Sequence, residues 1–352
     1  MYRYFPVLMS LGITVFLTPV FIKIARKLNI CDNGNEDRKI HNGNIPLLGG
    51  LAIYIAFVIS TLIFIDINQQ FISLLIVSVI MIAVGILDDV QDLSAAIKFP
   101  IQAICSILIA SLGYRIDFGR HFLDGDVSIL LFDIGLTTLW LVGIMNAMNL
   151  IDGVDGLASG IAAISCIGFA IIGFISSNMT IVILSLALLG STGGFLIYNR
   201  NPARIFMGDT GSLFLGCILG VLSIMSINME INTASLFVPI ILLTVPIFDT
   251  GWAMLRRLIS RKDIFSADKG HIHHRLMDKG FNQRKTVYIM YVIQAIAVGI
   301  GVGIYISKLF WAGLSVIISL IILGIILSLS VARKGQSHIK GSPLIGKSNK
   351  QI

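Results

Sequence analysis

Long apolar runs separated by short polar segments make up almost the whole chain. Eleven runs stand out, at about 5 to 24, 47 to 65, 71 to 87, 99 to 113, 129 to 148, 157 to 176, 179 to 197, 212 to 227, 235 to 255, 286 to 306 and 310 to 330. Most hold about 15 to 22 residues, the length at which a helix crosses a hydrocarbon core about 30 Å thick. Gly, Asn, Asp and Pro mark the joints between them. The pattern predicts an all-α integral membrane protein with ten or eleven transmembrane helices. Its weakest member is the fifth run, which must bury Asp133 near its start and follows a stretch, 115 to 126, that reads as a short external hairpin.

Composition closes off a soluble fold, since 56% of residues are hydrophobic and 13% charged. The first run is followed at once by Lys23, Arg26 and Lys27 with no small-residue cleavage site. It therefore reads as a retained helix, with no soluble domain ahead of it. The formal charge of +7 could suit nucleic acid, but in a multi-span chain basic residues first report orientation. With the N-terminus outside, the segments 26–46, 88–98, 149–156, 198–211 and 256–285 and the tail face the cytoplasm. Together they hold all but five of the 26 Lys and Arg, the exceptions being Arg3, Lys23, Arg115, Arg120 and Lys308. That bias sets the C-terminus and every sizeable acidic or histidine cluster on the cytoplasmic face of the inner membrane. Residues 1–330 then form one transmembrane domain and 331–352 a basic cytoplasmic tail; no nucleic-acid partner is expected. Cys31, Cys105, Cys166 and Cys217 show no paired spacing, which argues against disulfides and zinc alike.

Four polar clusters carry the candidate chemistry. Asp88, Asp89 and Asp92 close the third run and Lys98 opens the fourth. Adjacent carboxylates near a low-dielectric boundary call for a metal, a cation or a bound proton, although a helix end wetted by cytosol would also explain them. In 146–160 (NAMNLIDGVDGLASG), Asn146, Asn149, Asp152 and Asp155 supply hard oxygen donors, and Gly153 and Gly156 allow close backbone approach. A metal loop and a capped inter-helix turn both fit that segment. Asp209 lies in Gly-Asp-Thr-Gly-Ser directly before an apolar helix, where free N–H groups favour an anion and Asp209 would need a bridging cation. Finally 256–285 gathers His271, His273 and His274 with Arg256, Arg257, Lys269 and Arg275, a surface suited to a diphosphate. A zinc site is disfavoured because the histidines crowd together with no Glu at metalloprotease spacing. No GxSxG elbow or Walker A loop occurs. Carboxylates, a cation site and basic phosphate ligands together describe phosphoryl transfer at a membrane surface.

RKIHNGNIPLLGG (Arg38 to Gly50), GILDDVQD, NAMNLIDGVDGLASG, NPARIFMGDTGSL, PIFDT (Pro246 to Thr250) and FSADKGHIHHRLMDKGF occur in that order. In this the chain resembles the polyprenyl-phosphate N-acetylhexosamine-1-phosphate transferases, a glycosyltransferase 4 family that includes a peptidoglycan branch using a muramyl-pentapeptide donor. The resemblance spans almost everything to about residue 330. It implies transfer of a sugar 1-phosphate from a UDP-N-acetylhexosamine to undecaprenyl phosphate with release of UMP, in the lipid bilayer, with Mg²⁺ or alternatively Mn²⁺, and it allows a homodimer. It also implies Asp209 as main metal ligand with Asn149 beside it, and Asp88 and Asp89 near the lipid phosphate, one of them as base. Lys98 is implied as a phosphate contact, Asp152 as a substrate contact, Asp155, Asn199 and Phe206 as uridine contacts, and His271, His273 and His274 as neighbours of the donor diphosphate, with His271 counted catalytic. Lys39 and His41 are carried over from the early loop. The spacing HIHH, where the peptidoglycan branch has three consecutive histidines, points to an N-acetylhexosamine donor, foremost UDP-GlcNAc. Asp249, inside the ninth run near its cytoplasmic end, is expected either to support structure or to back a residue of the site. A UbiA-type prenyltransferase leaves the GDTGS turn and histidine segment unexplained, and an ion-coupled transporter would want its ionisable residues at the bilayer midplane.

Overall fold

The computed structural model describes residues 4–33, 44–228, 236–259 and 270–323. Lys39, His41, Lys269 and the basic tail fall outside them. Among the described residues the fold is almost entirely helical, as expected. Its helices are α1 (Phe5–Lys27), α2 (Gly49–Phe64), α3 (Gln69–Gln91), α4 (Ala95–Ser111), α5 (Asp126–Ile151), α6 (Leu157–Ile175), α7 (Met179–Asn199), α8 (Gly208–Ile227), α9 (Val238–Leu242), α10 (Thr244–Ile259), α11 (Ile272–Asp278), α12 (Gln283–Ser307) and α13 (Phe310–Leu323). Seven of them, α1, α3, α5, α6, α7, α8 and α12, are long and apolar enough to cross a membrane. α2, α4 and α13 are apolar but shorter. The protein is a multi-pass membrane protein.

α8 is the axis of the bundle. It is buried along nearly its whole length, from Thr210 to Ser226, and packs against α2, α3, α5 and α6. Outer helices keep apolar faces exposed, Phe16 on α1 and Leu139 on α5 among them. Such faces suit hydrocarbon rather than water.

Three local features refine the expected pattern. The early polar segment forms a two-stranded antiparallel pair, β1 (Cys31–Asn33) with β2 (Asn44–Pro46), in register Cys31 to Pro46. α5 does bury Asp133, and the reason is local. Its carboxylate accepts hydrogen bonds from the Phe118 and Gly119 backbones at 3.0 and 2.6 Å, tying down the preceding 3-10 turn Gly119–His121. The ninth run is not one helix but breaks between α9 and α10 at Leu243. A broken helix inside a bilayer leaves backbone groups without partners unless protein supplies them. Here buried Gln294 of α12 does so, its Nε2 donating to the Leu242 carbonyl (2.5 Å) and its Oε1 accepting from Val245 N (3.1 Å). Ser165 of α6 donates to the same carbonyl at 3.0 Å.

Candidate active site

The centre of the site is the N-terminal end of α8, entered through Gly208 in the left-handed region (φ +67°). A side chain there would strike the Asp89 carboxylate, so glycine is required both for backbone and for space. Asp89, at the end of α3, caps this helix. It accepts from Asp209 N (2.7 Å), Thr210 N (3.1 Å) and Thr210 Oγ1 (2.6 Å). A carboxylate at that position satisfies orphan N–H groups and faces the positive end of the helix dipole. Gly85, one turn earlier on α3, lies so close to the Asp209–Thr210 backbone that a Cβ would not fit.

With its backbone fixed, Asp209 presents its side chain to a cation. Lys98 Nζ of α4 sits 3.3 Å from Asp209 Oδ2 and 2.6 Å from Asp88 Oδ2. Asp88 is held in turn by Leu93 N at 2.8 Å. Asn149, near the end of α5, reaches Asp209 Oδ1 at 2.8 Å and Ser212 Oγ at 3.0 Å. Asn146 instead turns to Gln102 on α4 (2.6 Å) and takes no part in this contact set. The Asp209 side chain stays 31% exposed whereas that of Asp88 is 3% exposed, so Asp209 is the more accessible of the two carboxylates.

The loop after α5 joins this centre to the rest. Asp152 is pushed well above the usual carboxylate range, first by burial and then by the negative charges of Asp209, Asp89 and Asp155. The acidic residues of three separate connections therefore share one field. Asn199 accepts from Gly156 N (3.1 Å) and Ser159 Oγ (3.0 Å) while donating to the Ile205 carbonyl (2.9 Å), stapling the 152–156 loop to the segment that precedes Asp209. Asp155 accepts from Asn201 Nδ2 (2.9 Å) and Ala203 N (3.0 Å) across the same junction. Phe206 is half-buried, and its backbone bonds to Pro46 and Gly49, which fixes β2 and the start of α2 against it.

The histidine segment approaches from α10 and α11. Asp249, fully buried, takes the His271 Nδ1 hydrogen bond at 2.8 Å and that of Ile272 N at 2.6 Å. His271 and His273 stack in parallel with ring centroids 5.7 Å apart, and His274 lies 4.4 Å from His273. Arg275 and Arg256 both lie over the Trp252 ring, at 4.4 and 5.2 Å. This segment meets the Asp152 loop directly, since a Cβ placed on Gly153 would fall 3.5 Å from His273 Nε2. Burial lowers the His273 imidazole to about 4, so the ring is neutral at pH 7.

Four of the five connections assigned from charge thus meet at one end of the bundle, and the fifth joins them through β2 at Phe206; its residues 34–43, with Lys39 and His41, lie outside the described residues. Sequence reading missed Thr210, Ser212 and Asn201, which partner Asp89, Asn149 and Asp155, though the first two stand inside the GDTGS motif that signalled the site. It placed Asp88 and Asp89 together among catalytic groups; in the structure the oxygens of Asp88 meet Leu93 N and Lys98, and those of Asp89 meet the start of α8.

Comparison with known proteins bears directly on this site. Residues 71–227, from α3 through α8, match glycosyl transferase family 4. Over 317 residues the chain is 41% identical to a probable undecaprenyl-phosphate N-acetylglucosaminyl 1-phosphate transferase of Bacillus subtilis, covering 90% of this chain and 88% of that one. The chain belongs to glycosyl transferase family 4. More distant members include the phospho-N-acetylmuramoyl-pentapeptide-transferase of Staphylococcus epidermidis, 30% identical over 325 residues (85% of this chain, 98% of that one). That of Staphylococcus carnosus is 31% identical over 317 residues, with 83% and 97% covered. The family match contains the Asp88–Lys98–Asp209 centre, Asn149 and the Asp152 loop entire.

Proposed function

We propose that the protein transfers N-acetylhexosamine 1-phosphate, with GlcNAc as the sugar, from a UDP-sugar to undecaprenyl phosphate and releases UMP, beginning a lipid-linked cell-envelope polysaccharide. The observation that carries this reading is the Lys98 ammonium held between Asp88 and Asp209, beside Asn149, at the foot of α8. Such a centre is built to hold positive charge against two carboxylates. The greater similarity to the Bacillus subtilis relative than to the pentapeptide transferases supports GlcNAc as the donor sugar.

The donor set fits Mg²⁺. Among the described residues no group of three or more His, Cys, Asp or Glu could hold a metal alone. Mg²⁺ is commonly bound through one or two carboxylates with substrate phosphates and water completing its shell, and Asp209 with Asn149 supplies such hard oxygen ligands. When bound, the ion would neutralise the diphosphate and stabilise charge on departing UMP. The residues do the remainder. Lys98 holds a phosphate oxygen; His271, oriented by Asp249, and His274 face the donor; Asp155 and Asn199 shape the nucleotide subsite with Phe206. Asp88, whose Oδ2 meets Lys98 beside the phosphate, takes any remaining proton from the acceptor phosphate, while Asp89 closes the start of α8. An acceptor phosphate oxygen bonds to the donor β-phosphorus as the bond from that phosphorus to the bridging oxygen breaks, with UMP leaving in line.

The same reading completes the topology. α2, α4, α13 and the α9–α10 pair make up eleven crossings, with the N-terminus outside and the site on the cytoplasmic face of the inner membrane, where a soluble nucleotide can meet a lipid phosphate. The test supplies membranes containing the protein with undecaprenyl phosphate, Mg²⁺ and, in turn, UDP-GlcNAc, other UDP-hexosamines and the UDP-muramyl-pentapeptide, and measures UMP and lipid product. Asp209→Asn should lower turnover at least ~10²-fold, as loss of one strong electrostatic contact in a site does. Near-normal UMP release from that variant would remove the metal assignment, and pyrophosphate release from a prenyl diphosphate would select a prenyltransferase instead.

A further inference from the structure

On the outer flank of the same end of the bundle, a cavity of about 680 Å³ opens between the end of α7, the segment 200–204 and the start of α12. Arg200, Arg204 and Arg284 line it together with Tyr198, Tyr288 and Tyr291. Arg284 Nε donates to the backbone and side-chain oxygens of Asn201 at 3.1 and 3.2 Å. Arg200 and Arg204 are exposed, and among the described residues neither pairs with a carboxylate. Asp155 also borders the cavity, but Oδ2 of its carboxylate is turned to Asn201 and Ala203. Three guanidinium groups and a single carboxylate thus line the cavity, which leaves it net positive, and Arg200 and Arg204 make no salt bridge among the described residues.

A second observation says what kind of molecule brings that charge. Along α12, Arg284 is followed every fourth residue by Tyr288, Val292, Ile296 and Ile300, one face of a helix. The last four are 67%, 57%, 58% and 43% exposed, and Ile197 of α7 beside the cavity is 52% exposed. An apolar, hydrocarbon-facing stripe thus runs straight from the cavity mouth along the bundle, with Tyr288 at the level where interfacial aromatic residues sit. A soluble anion would match the arginines and leave the stripe unused. Basic pockets between transmembrane helices recognise anionic head groups whose chains lie along the helices.

We propose that this cavity is a binding site for an anionic phospholipid, separate from the Asp88–Lys98–Asp209 centre, with the phosphate against Arg200 and Arg204 and an acyl chain along the α12 stripe. Its position is consequential. The segment 200–204 forms part of its wall, and Tyr291 donates from its lining to the Gly156 carbonyl (2.5 Å), so an occupant braces the loop that holds Asp155 and the chain that follows Asn199. Lipid retention itself does not depend on the transfer reaction proposed above, so the two ideas can fail separately.

The full-length protein is reconstituted into phosphatidylcholine nanodiscs with and without phosphatidylglycerol, and retained lipid is read by native mass spectrometry. The wild type should keep phosphatidylglycerol in preference to phosphatidylcholine. Arg200→Gln with Arg204→Gln should weaken that preference by roughly 30-fold, the effect expected for two basic residues at an anionic surface. The pair Arg200→Lys and Arg204→Lys should retain it, which separates lost charge from lost folding. Equal retention by wild type and the glutamine variant overturns the proposal. So does displacement of phosphatidylglycerol by millimolar inorganic phosphate, which would mark a soluble-anion site.

Discussion

Asp89→Asn separates a structural carboxylate from a chemical one. In the native fold Asp89 accepts three hydrogen bonds at the start of α8, two from backbone N–H groups and one from Thr210 Oγ1. Asparagine keeps one acceptor oxygen but turns an NH₂ donor toward groups that themselves donate. Hydrogen bonds to a charged partner contribute about 1.5–3 kcal/mol each, and a negative charge at a helix N-terminus adds about 0.3–1 kcal/mol. Losing one such bond together with the charge costs about 2–4 kcal/mol. At a few degrees per kcal/mol for chains of this size, the apparent Tm of the solubilised protein should fall by roughly 5–10 °C. Asp88→Asn is the comparison, because Asp88 is bound to Lys98 rather than to a helix end and should shift the apparent Tm less while lowering turnover as much. The assay pairs thermal unfolding in detergent with UMP release in vesicles for both variants. An Asp89→Asn protein as stable as wild type yet devoid of activity would refute the capping argument and return Asp89 to the chemistry.

Two further outcomes follow from the same geometry. Gln294→Leu strands the Val245 N–H and removes one donor from the Leu242 carbonyl, and should cost about 1–3 kcal/mol, read as a lowered unfolding midpoint; an unchanged midpoint would show that the break at Leu243 needs no such repair. His273 is held near 4 by burial, below its ordinary 6.5, so its contribution is complete above about pH 6.5 and is lost as pH falls toward 4, a loss of about 3 kcal/mol at the acid end. His273→Gln should flatten the acid limb of a plot of stability against pH between 6.5 and 4, and an unaltered limb would contradict the assignment.

Much of this was legible in the sequence because bilayers punish ambiguity. An apolar run long enough to cross hydrocarbon has little choice but to be helix, which is why α1, α3, α5, α6, α7, α8 and α12 follow from length and composition. The candidate site was legible as types of residue rather than as contacts. The pattern GDTGS announces a helix start with an acidic residue, but that Asp89 closes it from 120 positions away is a property of packing α3 on α8. Likewise nothing local in PIFDT says that Asp249 will meet His271, 22 residues on. The ninth run was misread as continuous because Leu243 sits amid apolar residues. The compensating Gln294 lies on a different helix, where a lone amide in an apolar span was the available signal.

The knot of Gln294, Ser165 and the Leu242 carbonyl has an effect on spatial accuracy far from itself. It pins α6, α12 and the junction of α9 with α10 to one height, so the α9–α10 pair cannot slide along α12 without surrendering those bonds. Asp249 stands about one turn beyond this anchor. A single residue inserted between Val245 and Asp249 would lift the carboxylate about 1.5 Å and swing it about 100°, and the imidazole it steers would lose its aim. An amide deep in the bundle thus acts as the datum from which the histidines are measured.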